Sequence, residues 1–317
     1  MCRLIPISIK DAEMRKEMFS RRDFLKGAFA AGGIVASSGL PLHARGDHEQ
    51  LSLAYAHIKA GAFKPFSLLH ISDTHLTFAD PDEDAEIQKY CERRTELFGG
   101  RQYEALKDSI RWAKLNTDYL VHSGDLIDWG SEGNLRAVKE AFGFRNGPFF
   151  GAIGNHEYFW PRTTGRVPRP ECFRRCSQVY PYNLRFCSQV LNGVNFISID
   201  DSNYDVSEEQ IQAFKREAKK GLPIILVTHI PFPTPEITKA KRKFHKFGVK
   251  FRDEPVEPFK FGEKATEFIE YLKTEPLLKG ILAGHLHITA EERFSPTAKL
   301  YVVAGNFGFA GREVLVT

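Results

Sequence analysis

The chain has 317 residues, of which 42% are hydrophobic and 26% are charged. This composition allows a large core and excludes a disordered chain, a collagen-like repeat and a small disulfide-stapled scaffold. The net charge is +4, but the first 44 residues hold seven of the 44 basic and four of the 40 acidic residues. The remainder is nearly neutral, which is not typical of a general nucleic-acid-binding protein.

The amino-terminal segment has the order of a cleaved signal. Residues 20–26 read Ser-Arg-Arg-Asp-Phe-Leu-Lys, and a run of small, weakly apolar residues follows from Gly27 to Leu42, with a small residue at Ala44. A charged region, a short apolar region and a small residue where a peptidase can cut are the parts of an export signal. The arginine pair and its neighbours resemble the twin-arginine (Tat) signal, which implies export of a folded protein by the Tat machinery. The alternative is a basic helix at the start of a cytosolic enzyme.

These features predict a signal at residues 1–44 and a periplasmic or secreted domain at residues 45–317. No later stretch approaches 18 consecutive apolar residues, so we expect no membrane span after the signal is removed. An oxidising compartment allows up to two disulfides among the four remaining cysteines, with buried thiols as the alternative. These cysteines are Cys91, Cys172, Cys176 and Cys187.

Apolar runs alternate with helical patterns along the rest of the chain. Short runs typical of buried strands occur at residues 66–72, 119–122, 148–153, 194–199, 223–228 and 280–283. One helix face is formed by Tyr103, Leu106, Ile110 and Ala113, and another by Ala265, Phe268, Ile269 and Leu272.

Ser207 and Gln210 have the spacing of a capping box, and Gly221 is placed to end the helix that they begin. The alternation predicts an α/β sheet covered by helices. We expect shorter antiparallel strands from Glu291 to Thr317, and insertions at residues 158–192 and 232–262.

Metal-ligand side chains follow five of the predicted strands. They form the blocks Asp73-Thr74-His75, Gly124-Asp125, Gly154-Asn155-His156-Glu157, the single His229, and Gly284-His285-Leu286-His287. Ligands of α/β sheets gather beyond the carboxyl ends of strands, so we expect these side chains to meet at one sheet edge. Oxygen and imidazole ligands suit Mn, Fe, Zn or Ni rather than copper(I) or iron–sulfur clusters.

In this order the blocks resemble those of the calcineurin-like metallophosphoesterase family, which are D-x-H, GD, GNH[DE], a lone His and GHxH. The resemblance spans residues 73–287. It implies a four-layer α-β-β-α sandwich of two mixed sheets flanked by helices, with a dinuclear metal centre. Two divalent or trivalent ions are expected, with Mn, Fe and Zn as the candidates.

The resemblance also implies roles for single residues. One ion would be bound by Asp73, His75 and His287. The second would be bound by Asn155, His229 and His285. Asp125 would bridge the two ions. His156 would lie beside the phosphate and protonate or stabilise the leaving oxygen, and Asp128 would orient His156 through a hydrogen bond.

The implied function is an exported metal-dependent phosphohydrolase that cleaves small phosphate mono- or diesters by attack of a metal-bridging hydroxide. The alternatives are a phosphodiesterase specific for nucleotides or glycerophosphodiesters, and a non-catalytic metal-binding recognition module. Purple acid phosphatases carry a tyrosine ligand soon after the GD block, where this chain has Trp129, so that subfamily is disfavoured.

The second predicted insertion carries a run of lysines, arginines and phenylalanines between Lys239 and Arg252. This run is interpreted either as a cationic rim that attracts anionic esters or as a solvated surface loop. Because the mature chain is nearly neutral, we expect no stable nucleic-acid partner.

Overall fold

The computed structural model describes residues 51–143, 149–161, 170–180, 182–239 and 260–317. The predicted signal at residues 1–44 and most of the basic run lie outside these ranges. Within them, no helix has both the length and the apolar character needed to cross a bilayer.

Eleven strands are found in the described part of the chain. They are β1 (Ser52–Ile58), β2 (Phe66–Ile71), β3 (Tyr119–Ser123), β4 (Phe149–Ala152), β5 (Phe186–Leu191), β6 (Val194–Ile199), β7 (Ile224–Val227), β8 (Leu278–Ala283), β9 (Ala290–Arg293), β10 (Lys299–Val302) and β11 (Ala310–Val316).

The described helices lie between these strands. They are α1 (Ala85–Leu97), α2 (Gln102–Asn116), α3 (Glu132–Phe142), α4 (Pro170–Cys176), α5 (Glu208–Ala218), α6 (Pro235–Lys239) and α7 (Glu263–Thr274). Short 3-10 turns occur at His156–Tyr158 and Asn306–Gly308.

The strands form two mixed sheets. One sheet has the order β1-β11-β2-β3-β4, and the other has the order β5-β6-β7-β8-β10-β9. In the first sheet β2, β3 and β4 are parallel, and in the second β6, β7 and β8 are parallel. The two parallel cores bring the carboxyl ends of six strands to the same end of the molecule.

The sheets pack face to face, and helices cover their outer faces. Phe66 of β2 and Phe196 of β6 meet across the interface with ring centroids 6.1 Å apart. The neighbouring Ile197 belongs to a second apolar cluster with Phe214 of α5 and Phe268 of α7. Because β6 is buried on both faces, its sequence is a nearly continuous apolar run instead of an alternating one. The predicted four-layer sandwich of two mixed sheets is confirmed.

The capping box that the sequence indicates is present. Ser207 accepts a hydrogen bond from the backbone N–H of Gln210, and the Gln210 side chain accepts one from the backbone N–H of Ser207. This reciprocal pair satisfies two N–H groups that have no partner within the helix. Helix α5 therefore begins where the sequence predicts, close to the end of β6.

The carboxyl-terminal prediction is only partly right. Strands β9 and β10 are antiparallel, but β10 also pairs parallel with β8, and β11 lies parallel to β1 and antiparallel to β2. The expectation of antiparallel strands throughout this tail is wrong because β11 returns to the first sheet and fills the space between β1 and β2. The predicted insertion at 158–192 contains α4 and β5, and β5 is an edge strand of the second sheet.

Candidate dinuclear metal site

The predicted ligands come together at the carboxyl ends of strands from both sheets. Asp73 and His75 follow β2, Asp125 follows β3, and Asn155 follows β4. His229 follows β7, and His285 and His287 follow β8. The site therefore lies where the two sheets meet, instead of at the edge of a single sheet.

Three groups of side chains have ligand atoms within 4.8 Å of one another. They are Asp73–His75–His287, Asp125–His229–His285 and His75–Asp125–His156. Asn155 joins the second group, because its Oδ1 lies 3.2 Å from Nε2 of His229. All seven predicted ligands thus lie in one cluster, and Asp125 lies between its two halves. The assignment of each ligand to one ion stays a prediction.

Backbone strain is concentrated in this cluster. Five of the seven predicted ligands have φ between 48° and 67°, and they are Asp73, His75, Asp125, His285 and His287. Such angles are uncommon for residues other than glycine and cost on the order of 1–3 kcal/mol each. Strained residues collect where the fold holds a functional geometry in place, so this concentration marks the strand ends as a site.

The glycines of the sequence blocks allow the loops to approach closely. Gly124 has φ of 99°, and a Cβ at this position would lie 2.8 Å from the backbone nitrogen of Gly154. At Gly284 a Cβ would collide with the side chains of Ser72 and Asp73. Because these loops come from different strands, a side chain at either glycine would push apart two of the loops that carry the predicted ligands.

Three of the imidazoles are held through the nitrogen that faces away from the cluster. The Nδ1 atom of His75 lies 2.9 Å from the carboxylate of Asp128, and Nδ1 of His229 lies 2.8 Å from the backbone oxygen of Ser123. Nε2 of His285 lies 3.0 Å from the hydroxyl of Tyr204. When these outer nitrogens carry the proton, the inner nitrogens present lone pairs, as metal-ligating histidines do.

The inner nitrogens approach each other and the carboxylates. Nε2 of His75 is 3.1 Å from Nε2 of His287, which is 3.2 Å from Asp73. Nε2 of His229 is 3.2 Å from Asp125. The lone pairs of these imidazoles and the buried carboxylates of Asp73 and Asp125 thus point into the same space. Such an arrangement is suited to binding metal cations.

The electrostatics of the cluster also favour cations. Burial opposes charge at Asp125, but the facing His229 and His156 outweigh this effect and hold the pKa of Asp125 well below its ordinary value. Burial likewise lowers the pKa of His229, yet Asp125 and Asp73 raise it to about 10. A proton or a metal ion next to these carboxylates is therefore stabilised. The donor set and its field fit the two ions that the sequence predicts.

One side of the cluster is open to solvent. Asp73, His75, Asp125 and His229 are fully buried, whereas Asn155, His156, His285 and His287 are only partly buried. The side chains of His156 and His287 are 22% and 15% exposed. A ligand can reach the cluster from this side, where His156 lies.

Asp128 connects His156 to the cluster. Its Oδ1 lies 2.9 Å from Nδ1 of His156 and also 2.9 Å from Nδ1 of His75. Burial lowers the pKa of His156, but the carboxylates of Asp125 and Asp128 outweigh this effect and raise it to about 9. The His156 imidazole therefore keeps its proton at neutral pH, beside the predicted ligands.

Arg94, which the sequence patterns did not reveal, holds Asp128 from the other side. The Arg94 guanidinium donates to both oxygens of the carboxylate, over 2.6 and 2.8 Å. It lies over the ring of Phe98, which stacks on His75 with ring centroids 4.4 Å apart. Arg94 lies in α1, far from any sequence block, so no local pattern pointed to it.

Two buried acids to which the sequence patterns gave no role support the loops. Glu157 accepts hydrogen bonds from the backbone N–H groups of Asp125, Leu126 and Gly154. Asp201 accepts from the backbone N–H groups of His229 and Ile230. Asp201 follows β6, which is parallel to β7, so the strand-end rule could have found it.

Several aromatic and cysteine residues near the sequence blocks lie around the site without entering the ligand cluster. Trp129 is fully buried against Tyr90, and Tyr158 donates a hydrogen bond to Asp200. Trp160 lies under the guanidinium of Arg175, 5.0 Å from it.

Cys91 and Cys176 are free thiols, so the two disulfides that the sequence allows are not both formed.

Several solved structures resemble the chain at low identity. A dimetal phosphatase from Danio rerio is 14% identical, with a TM-score of 0.46, over 77% of this chain and 88% of that one. The purple acid phosphatase PPD1 from yellow lupin is 14% identical, with a TM-score of 0.47, over 78% of this chain and 45% of that one. The phosphopantetheinyl hydrolase from Mycobacterium tuberculosis is 15% identical, with a TM-score of 0.42, over 77% of this chain and 91% of that one.

No curated protein sequence matches the chain. The family model described as calcineurin-like phosphoesterase matches residues 66–289, which is more than half of the sequence and includes every residue of the cluster. The chain belongs to the calcineurin-like phosphoesterase family.

Proposed function

We propose that the protein is a metal-dependent phosphohydrolase that cleaves small phosphate mono- or diesters. The observation that carries this proposal is the convergence of two ligand groups on the buried carboxylate of Asp125, with His156 at their open side. A metal site built only for structure has no need of a solvent-facing proton donor next to it.

The residues of each half would hold one ion. Asp73, His75 and His287 form one half, Asn155, His229 and His285 form the other, and Asp125 is shared between them. Two bound ions would offset the charge of the phosphoryl oxygens and acidify the attacking water. Their identity is proposed to be Mn, Fe or Zn, since nitrogen and oxygen ligands suit all three.

His156 is proposed to complete the reaction. As the water oxygen bonds to phosphorus, the water loses a proton to the solvent, the bond from phosphorus to the leaving oxygen breaks, and His156 donates its proton to the leaving oxygen. The solvent then returns a proton to His156. Asp128 holds Nδ1 of His156, which fixes the direction of the ring. Burial of the ligand carboxylates keeps bulk water away from their side of the cluster, so the ester must enter from the side of Asn155 and His156.

The proposal is tested with the metal-loaded protein and two chromogenic esters, p-nitrophenyl phosphate and bis(p-nitrophenyl) phosphate. We expect hydrolysis of at least one ester that depends on bound metal and is lost in Asp125→Ala. The ratio of the two rates separates a monoesterase from a diesterase, which is the alternative for nucleotide or glycerophosphodiester substrates. Two bound ions without turnover of either ester, or of a wider panel of phosphoesters, would instead indicate a metal-binding recognition module.

Export is proposed on the sequence of residues 1–44 alone. A reporter fused after Ala44 should be exported through the Tat machinery to the periplasm or the medium. Replacing Arg21 and Arg22 together by lysine should keep the reporter in the cytoplasm, because the receptor reads the arginine pair. The matched control replaces Arg15 by lysine and should leave export unchanged. Export of the double variant at the normal level would contradict the proposal that the protein is a Tat substrate.

A further inference from the structure

Tyr204 contacts the ligand cluster from outside the sequence blocks. It lies in the loop between β6 and α5, and its hydroxyl is 3.0 Å from Nε2 of His285. The two rings meet nearly at right angles, with an interplanar angle of 79°. This geometry directs the tyrosine oxygen at one nitrogen of the imidazole.

The other nitrogen of His285 faces the cluster. Its Nδ1 lies 3.2 Å from Nε2 of His229, within the group that also contains Asp125. A neutral imidazole carries one N–H and one lone pair, and only the nitrogen with the lone pair can bind a cation. If Tyr204 accepts the hydrogen of Nε2, the lone pair of His285 is on Nδ1 and points to the metal position.

The backbone of Tyr204 is held in an uncommon conformation. Its φ is 58°, in a region that tyrosine rarely adopts. The backbone N–H of Tyr204 donates to the backbone oxygen of Asp201, and the backbone oxygen of Tyr204 accepts from the N–H of Gly262, the residue that caps the start of α7. The ring also meets Phe261, with centroids 5.9 Å apart. Strain of this kind persists only where surrounding contacts impose it, and here it places the hydroxyl on His285.

We propose that Tyr204 is a positioning residue that fixes the tautomer and the ring direction of His285, and thereby sets the affinity of one of the two metal positions. The position affected is the one predicted from Asn155, His229 and His285. This inference depends on the metal site of the proposed function, but not on which ester is cleaved.

The test is metal binding to the chelator-treated protein, with Mn²⁺ as the titrant and calorimetry as the readout. Tyr204→Phe removes only the hydroxyl. We expect one of two binding steps to weaken by about 10- to 100-fold, which is typical when the outer partner of a ligating histidine is lost. The other step should change little. Tyr271→Phe is the matched control, because its hydroxyl bonds Glu275 at the surface of α7.

A second measurement keeps the inference testable if the variant folds poorly. Nitrogen NMR of the intact protein, with His285 assigned through a His285→Gln variant, reports which ring nitrogen carries the proton. We expect the proton on Nε2. A proton on Nδ1, or two unchanged Mn²⁺ affinities in Tyr204→Phe, would overturn the role of Tyr204 and leave the phosphohydrolase proposal intact. A wild-type protein that binds no metal would overturn both.

Discussion

Nδ1 of His156 and Oδ1 of Asp128 lie 2.9 Å apart at the open side of the ligand cluster. The same carboxylate reaches the predicted ligand His75 and is held by the guanidinium of Arg94. One buried acid thus joins the proposed proton donor, a proposed metal ligand and a helix outside the sequence blocks. From the sequence, only the contact between Asp128 and His156 was expected.

Replacing Asp128 by asparagine should therefore affect both chemistry and stability. The variant keeps the shape but removes the charge that orients two histidines, and we expect kcat to fall by roughly 10- to 100-fold. Removing one partner of a buried ion pair also destabilises a protein by about 3–5 kcal/mol. Steady-state kinetics and denaturant unfolding check these effects. Glu104→Gln, which removes the exposed Arg101–Glu104 pair, is the control and should change neither quantity measurably.

The stability difference between the wild type and Asp128→Asn should depend on pH. Burial opposes the charge of Asp128, but His156, His75 and Arg94 outweigh burial and hold its pKa well below the ordinary value of 3.8. A lowered acid pKa stabilises the folded state above the unfolded value, and this stabilisation is lost as the pH falls through the folded value. Unfolding of the metal-free proteins should show a steady difference between about pH 5 and pH 6.5, below the range in which His156 loses its proton, and this difference should narrow in more acidic buffer. A difference that grows on acidification would contradict this cause.

His156→Asn should lower turnover without removing metal. A general acid contributes typically about 10²–10⁴-fold, and the contribution is greatest when the leaving group is a poor one. We expect a large loss with an alkyl phosphate ester and a smaller loss with p-nitrophenyl phosphate, whose leaving oxygen needs little protonation. Metal analysis of the same preparation decides between proton donor and ligand, since His156 also lies within 4.8 Å of His75 and Asp125. Loss of an ion from the variant would make His156 a ligand.

Asp125→Ala should lose metal as well as rate. Asp125 belongs to two of the three ligand groups, one with His156 and one with His229. Its carboxylate also accepts a hydrogen bond from the backbone N–H of His156. Without its carboxylate, the halves of the cluster share no anionic ligand. Elemental analysis should find less than one equivalent of tightly bound metal per chain, whereas Glu104→Gln should retain the wild-type content. Full occupancy in the alanine variant would exclude a bridging role.

Glu157→Ala should destabilise the loops that carry Asp125 and Asn155. The buried carboxylate accepts from four loop N–H groups and from the hydroxyl of Tyr180, all of which lose this partner in the variant. Each unsatisfied buried group costs about 1–3 kcal/mol. Denaturant unfolding of the metal-free protein should show a loss of several kcal/mol, and metal should bind more weakly. Glu217→Ala is the control, because Glu217 is more exposed than Glu157 and also accepts a partly buried hydrogen bond, from Nδ2 of Asn195. This variant should lose less unfolding free energy than Glu157→Ala.

The residue patterns predicted an α/β sheet covered by helices and the meeting of the ligand blocks, for a physical reason, whereas the division into two sheets was implied by the family resemblance alone. Strands buried on both faces read as apolar runs, and parallel strands deliver their carboxyl ends to one end of a sheet. The blocks after 66–72, 119–122 and 280–283 were therefore expected to meet, and the structure brings them together. Each block also contains a glycine or a polar residue that marks the sharp turn after its strand.

The contacts that hold the cluster could not be predicted in the same way. Arg94 reaches Asp128 from α1, and Tyr204 reaches His285 from a loop, and neither residue belongs to a repeated spacing. The pairing of β11 with β1 and β2 joins the chain end to the first sheet across more than 200 residues. Only the packed fold determines such long-range contacts, since the local sequence carries no signal for them.

The clustered side chains are proposed to hold metal for phosphoester hydrolysis. The most direct test of this proposal measures metal content and hydrolysis of p-nitrophenyl phosphate and its bis ester on the same preparation, before and after chelation and after Mn²⁺ or Zn²⁺ is restored. We expect two ions per chain, hydrolysis that is lost with the metal and returns with it, and no activity in Asp125→Ala. Hydrolysis that persists in fully chelated protein, or two bound ions that support no turnover of any phosphoester, would contradict the proposal.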